Sequence, residues 1–163
     1  MARAGLAEWE VATPGGNVVC HADPYAEQHG TCLRAGDARG AAQPQPAIYV
    51  DHIEWWQYYR GYVVGKARGG FFVFREDSRQ VMRFASEDAM RARVKSLAPG
   101  DPVTRPLTPA DGWALTWAPI MKQRLAELKA SGALDKMTPE QRKALEEQAR
   151  SLSVPDVHPQ AKK

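Results

Sequence analysis

Large aromatic residues, set among polar ones, concentrate between positions 55 and 84, WWQYYRGYVVGKARGGFFVFREDSRQVMRF. The pattern predicts three short antiparallel strands. The first is expected from Trp55 to Val64. Trp56, Tyr58, Arg60, Tyr62 and Val64 share one parity, and Trp55, Gln57, Tyr59, Gly61 and Val63 share the other. Both sides carry rings, so a period of two does not select one buried face. β-branched and aromatic side chains suit the pleated state. Gly65 ends the strand, and Lys66-Ala67-Arg68-Gly69-Gly70 supplies residues that tolerate positive φ in a turn. Phe71 to Arg75 forms the second strand, Glu76-Asp77-Ser78 a polar turn, and Gln80 to Phe84 the third.

Upstream, Glu8–Ala12 and Asn17–His21 flank Thr13-Pro14-Gly15-Gly16, which is strong hairpin chemistry. Thr31 to Arg34 and Ile48 to Val50 are further short apolar runs. Ala22 to Gly30 reads as a polar loop, and Gly36 to Pro46 as an exposed one without periodicity. Downstream, Ser86 caps a helix over 87–97. Glu87 and Asp88 suit its positive end, and Met90, Val94 and Leu97 line one face. Prolines at 99, 102 and 106 make 99–107 a stiff linker. Thr108-Pro109-Ala110-Asp111 has the chemistry of a helix start. Gly112 and Pro119 then predict a short turn before a better helix from Pro119 to Ala130, with Ile120, Met121, Leu125 and Leu128 as its stripe. Thr138-Pro139-Glu140-Gln141 opens a last, mostly polar helix to about Leu152. The tail from Ser153 is expected to be disordered.

Together these elements predict an α+β fold. A mostly antiparallel sheet, an N-terminal hairpin plus the three-stranded meander, packs on one helix and is followed by a C-terminal helical pair. The expected division is a β-rich core over 1–98, the linker, a helical segment over 108–152, and the tail over 153–163.

Composition narrows the class. A chain of 163 residues with 44% hydrophobic and 25% charged residues is an ordinary globular sequence, long enough to bury a core. Its net charge of +3 is too small to imply nucleic acid by itself. No run approaches a membrane span. MARAGLAEWEV lacks the apolar core of a secretory signal, so a cytoplasmic location is the expectation. Richness in Ala, Arg and Gly is associated with GC-rich bacterial genes. Cys20 and Cys32 are expected reduced and buried, or bonded across a hairpin if the protein is exported.

Three sets of residues could carry chemistry. Cys20, His21, His29 and Cys32 share a short window that His52 could join, and Cys20, His29 and Cys32 are the candidate metal set. Their spacing matches no finger pattern, so no metal and no cofactor are expected. In Asp51-His52-Ile53-Glu54 a carboxylate flanks a histidine, but no nucleophile is marked and strand neighbours face opposite ways. A histidine- or metal-dependent enzyme is thus the third reading. The second reading is nucleic-acid binding. Nine bases against four acids between Trp55 and Leu97 leave an excess of about five charges, an electrostatic footprint for nucleic acid. Arg60, Lys66, Arg68, Phe71 and Arg75 would be its contacts. Arg68-Gly69-Gly70-Phe71-Phe72-Val73-Phe74 resembles the RNP1 strand of RNA-recognition motifs over those residues alone. It lacks the aromatic between the glycines, and consecutive strands depart from that family's βαββαβ order.

The first reading is protein recognition. Trp, Tyr and Arg dominate interface hot spots, and the meander holds more rings than one sheet face can bury. Trp113 and Trp117 add two more. A sheet face left uncovered would need a partner. Trp55, Trp56, Tyr58, Tyr59 and Arg60 are the expected anchors of a non-enzymatic binding module, such as an inhibitor, immunity factor or accessory protein of a larger machine.

Overall fold

The computed structural model describes residues 8–22, 25–36 and 47–159. The predicted loop from position 37 to 46 and the last four residues lie outside the described residues. Strands β1 (Trp9–Ala12), β2 (Val18–His21), β3 (Cys32–Arg34) and β4 (Ile48–Val50) form one antiparallel sheet in chain order. Strands β5 (Ile53–Tyr59), β6 (Tyr62–Ala67), β7 (Gly70–Arg75) and β8 (Gln80–Phe84) form a second. The helices are α1 (Tyr25–His29), α2 (Glu87–Leu97), α3 (Pro109–Ala130) and α4 (Pro139–Ser151), with a 3-10 turn at Ala133–Lys136. The α+β class, the antiparallel pairing and the C-terminal helices match the sequence reading. The strands nevertheless fall into two sheets, and the meander has four strands rather than three.

Arg60-Gly61 explains the extra strand. Gly61 adopts φ 74°, the chain reverses, and Tyr59 pairs with Tyr62. A glycine reaches this region without a Cβ penalty. The reversal also resets parity: Tyr62, Val64 and Lys66 stand opposite Tyr59, Gln57 and Trp55 and share their face.

Each face of the second sheet is covered. On one, Trp56, Tyr58, Val63, Phe72 and Phe74 pack against Trp9, Val19, Leu33 and Val50 of the first sheet. Trp9 stacks on Trp56 at 5.8 Å and Tyr49 on Phe74 at 4.9 Å. On the other, Val64 and Val73 lie under Met90 and Val94 of α2, whose cap Ser86 accepts from the Ala89 N–H. The result is three layers: sheet, sheet, helix. Cover on both sides requires apolar side chains on both, hence the rings on both parities. Each buried Phe contributes on the order of 2 kcal/mol.

The proline-rich stretch is part of the core rather than a spacer. Val103 N–H donates to the Tyr58 carbonyl (2.8 Å), and Trp56 and Leu107 exchange both backbone bonds (2.9 and 2.6 Å). Thr104 accepts from Tyr58 N–H through its hydroxyl (3.1 Å) and from Gln57 Nε2 through its carbonyl (2.8 Å). Leu107 is fully buried. The segment therefore seals the outer edge of β5, which would otherwise invite pairing with another chain.

Helix α3 runs unbroken through Gly112 and Pro119, where a turn was expected. A Cβ at position 112 would collide with the Trp9 ring, so the glycine is there for packing and does not end the helix. Thr116 Oγ1 donates to the Glu10 carbonyl (3.0 Å) and Trp117 Nε1 to the Glu8 carbonyl (2.8 Å), so α3 satisfies the free edge of β1. Leu134, Ala149 and Leu152 are buried where α4 meets α3. Thr138 and Gln141 form the predicted capping box. The segment predicted to trail off from Ser153 docks instead. Arg105 N–H donates to the Val157 carbonyl (2.9 Å) and Arg105 Nε to that of Asp156 (2.8 Å), with Val157 against the core. No helix among the described residues is long and apolar enough to cross a membrane.

Candidate functional site

Of the five expected anchors, Trp56, Tyr58 and Tyr59 lie inside the monomer, 0%, 4% and 8% exposed. Trp55 is half-buried and Arg60 exposed. The surface that remains is best described as rows across the helix-bearing face of the second sheet. Cross-strand register places Trp55, Lys66, Phe71 and Phe84 in one row from β5 to β8. The next row, Gln57, Val64, Val73 and Met82, lies beneath α2. A third holds Tyr59, Tyr62, Arg75 and Gln80.

All four side chains of the first row are half-buried. Trp55 meets Phe71 edge-on at 6.5 Å. The Arg91 guanidinium, from α2, sits 5.5 Å from the Trp55 ring centre, within cation–π range. Arg91 is fixed there by Glu87 (3.0 Å) and by Gln57 Oε1 (3.2 Å). Gln57 is in turn fixed by the Thr104 carbonyl. Lys66 Nζ pairs with Glu54 at 2.6 Å. The row is thus a ring-rich ridge with two cations, each matched by a carboxylate. Apart from that row, between Tyr59 of the third row and the last turn of α2, lies a groove of about 430 Å³ lined by Arg91, Val94, Lys95 and Pro102 among others.

The nucleic-acid set does not converge. Arg60 and Arg68 occupy the turns at opposite ends of β6, roughly 20 Å apart at strand rise. Lys66 is neutralised by Glu54, and Arg75 by Asp77 at 2.8 Å. The Arg75 guanidinium holds the Asp77 carboxyl below its usual range. In the stretch resembling RNP1, Phe72 and Phe74 are wholly buried between the sheets, and Phe71 stands half-buried in the first row.

The candidate metal set does not assemble either. Among the described residues no three Cys, His, Asp or Glu side chains could share a metal ion. Cys20 and Cys32 stand side by side, Sγ to Sγ 3.5 Å, but His29 Nδ1 faces Asp51 at 3.6 Å. His21 stacks on Trp9 at 6.5 Å. His52 takes φ 49° at the corner where the chain leaves β4 for β5. The three histidines are thus spread over a ring stack, a contact with a carboxylate and a backbone corner. The Cys20 thiol is drawn down to about 7 by the Cys32 thiol beside it and by Arg34, against its burial. Contact with Cys20 and burial push the Cys32 thiol up.

Sequence reasoning found Trp55 as a docking anchor and Lys66 and Phe71 as nucleic-acid contacts, in two separate sets. Arg91 and Phe84 were missed. Only the register, unknown before folding, shows that these residues share one row. Comparison with protein-family models, curated proteins and solved structures finds no match to this chain.

Proposed function

We propose that this chain is a non-enzymatic protein-docking module, acting as an inhibitor, immunity factor or accessory subunit of a larger assembly. The observation that carries the proposal is the half-exposed Trp55–Lys66–Phe71–Phe84 row with Arg91 fixed over Trp55. Rings and an arginine already held in place lose little freedom on binding, which favours affinity. Trp and Arg are the residue types that concentrate interface energy. Glu54 and Glu87 cancel the local cations, so the ridge suits a protein surface better than a polyanion, whose binding rests on unmatched positive charge.

The test is affinity capture from the native host with wild-type chain, Trp55→Ala and Arg91→Glu, each first shown to melt as the wild type does. A specific partner should bind wild type and lose about thirtyfold or more in affinity to either variant, the hot-spot range. Arg68→Ala should leave it unchanged. Equal capture by all variants overturns the assignment. Retention on single-stranded RNA or DNA that collapses with added salt would instead establish the nucleic-acid reading.

A further inference from the structure

Cys20 and Cys32 take no part in the docking ridge. They occupy directly opposed positions on β2 and β3, with Sγ atoms 3.5 Å apart. Both are fully buried in a small apolar cluster with Val18 and Ile48, on the sheet face opposite Val19 and Leu33. We propose that this pair is a two-electron redox site, closing to an intramolecular disulfide when a peroxide reaches it and reopening with a thiol reductant.

Three observations support the assignment. Opposed strand positions bring Cβ atoms to about 4.5–5.5 Å, a small movement from the 3.5–4.5 Å a disulfide needs. The receiving strand can supply that movement: β3 has three residues and its pairing with β4 slips between Leu33 and Arg34. Arg34, tied to Glu10 at 2.5 Å, also stands beside Cys20, where a guanidinium favours the thiolate. Burial restricts access to small neutral oxidants and keeps either sulfur from a second chain.

The chemistry balances without further reactants. The Cys20 thiolate attacks one peroxide oxygen, the O–O bond breaks, and the departing oxygen takes a proton and leaves as water. Cys20 is left as a sulfenic acid. The Cys32 sulfur then attacks the Cys20 sulfur, and the displaced hydroxide leaves as a second water with the Cys32 proton. Two thiols give up two electrons and two protons, and hydrogen peroxide is reduced to two waters.

The experiment treats the folded full chain with hydrogen peroxide, unfolds it with an alkylating reagent present, and reads intact mass and linked peptides. Expected is a monomer lighter by two hydrogens, unalkylated at both sites, with a Cys20–Cys32 peptide. Its folded-to-unfolded ratio should rise about a hundredfold for a loop of this size, and dithiothreitol should reverse it. Cys32→Ser should stop at a Cys20 sulfenic acid, trapped by a 1,3-dione probe. Added oxygen without a bridge, a linked dimer, or two alkylatable thiols after oxidation would each overturn the proposal.

Discussion

Glu76 follows β7 in the second sheet, yet its carboxylate reaches the β1–β2 turn of the first. It accepts from the Thr13 hydroxyl and from Gly15 N–H, which lies 3.1 and 3.0 Å from its two oxygens. Asn17 Nδ2 stands at 3.5 Å. The residue is 6% exposed, and a Cβ on Gly15 would collide with its side chain. Glu76→Ala removes a charged acceptor from two close donors and one distant one. A hydrogen bond to a charged group contributes about 1.5–3 kcal/mol, so the close pair sets an upper limit of about 6. Gly15 is itself at the surface and its freed N–H regains water, which brings the expected loss to about 3 kcal/mol. Glu76→Gln keeps the shape and one acceptor oxygen, and should lose about half as much. In a chain of this size a loss of about 3 kcal/mol lowers Tm by about 6–12 °C. Urea denaturation, followed by tryptophan fluorescence and by circular dichroism, should show an earlier midpoint with an unchanged slope. Glu76→Ala within about 0.5 kcal/mol of wild type, the range of indifferent surface changes, would refute the idea that this carboxylate clamps the sheets together.

Other outcomes follow from single contacts. Gly112→Val drives a branched side chain into the Trp9 ring and should cost about 1–3 kcal/mol as overpacking, with a changed near-ultraviolet signal from the Trp9–Trp56 stack. Burial holds the Tyr58 phenol above its ordinary range. Because the folded value exceeds the unfolded one, its contribution is complete below pH about 10 and lost as pH rises further, and Tyr58→Phe should flatten that alkaline decline in a pH series of melts. The Arg105 guanidinium, 2.7 Å away, holds the Asp111 carboxyl below its ordinary range. That contribution is present above pH about 4 and lost as pH falls through the lowered value; Asp111→Asn should remove it and speed hydrogen exchange at the Arg105 N–H, which donates to the Val157 carbonyl. Peroxide closure of the dithiol should accelerate as pH rises through about 7, where Cys20 gives up its proton, and an acceleration confined to the ordinary thiol range near pH 9 would contradict that order of attack.

Local chemistry made much of the fold legible. Ser86 and Thr138 marked two helix starts because capping is decided within one turn of chain. Thr13 to Gly16 marked the first hairpin for the same reason. What escaped was decided by distant partners. Arg60-Gly61 lacks the Asn or Asp that flags a two-residue hairpin, so one long strand was read where two pair. The glycine at 112 looked like a helix breaker because Trp9, over a hundred residues earlier, was not yet known to lie against it. Prolines at 99, 102 and 106 read as a spacer because nothing local shows that Val103, Thr104 and Leu107 will pair with β5. The same blindness applied to the docking ridge: aromatic residues could be counted, but Trp56 and Tyr58 are separated from Trp55 only by which way the pleat turns.

The sealing of β5 by Val103–Leu107 and of β1 by Thr116 and Trp117 has a consequence for biosynthesis. A ribosome delivers both sheets before it delivers the residues that shield their flanks. Until about position 117 has emerged, the nascent chain presents two unprotected strand borders and an uncovered Trp9, the conditions under which polypeptides stick to one another. The stretch from Val103 to Trp117 thus shields strand borders made long before it, and a product truncated at residue 98 should aggregate more readily than the chain that carries that stretch.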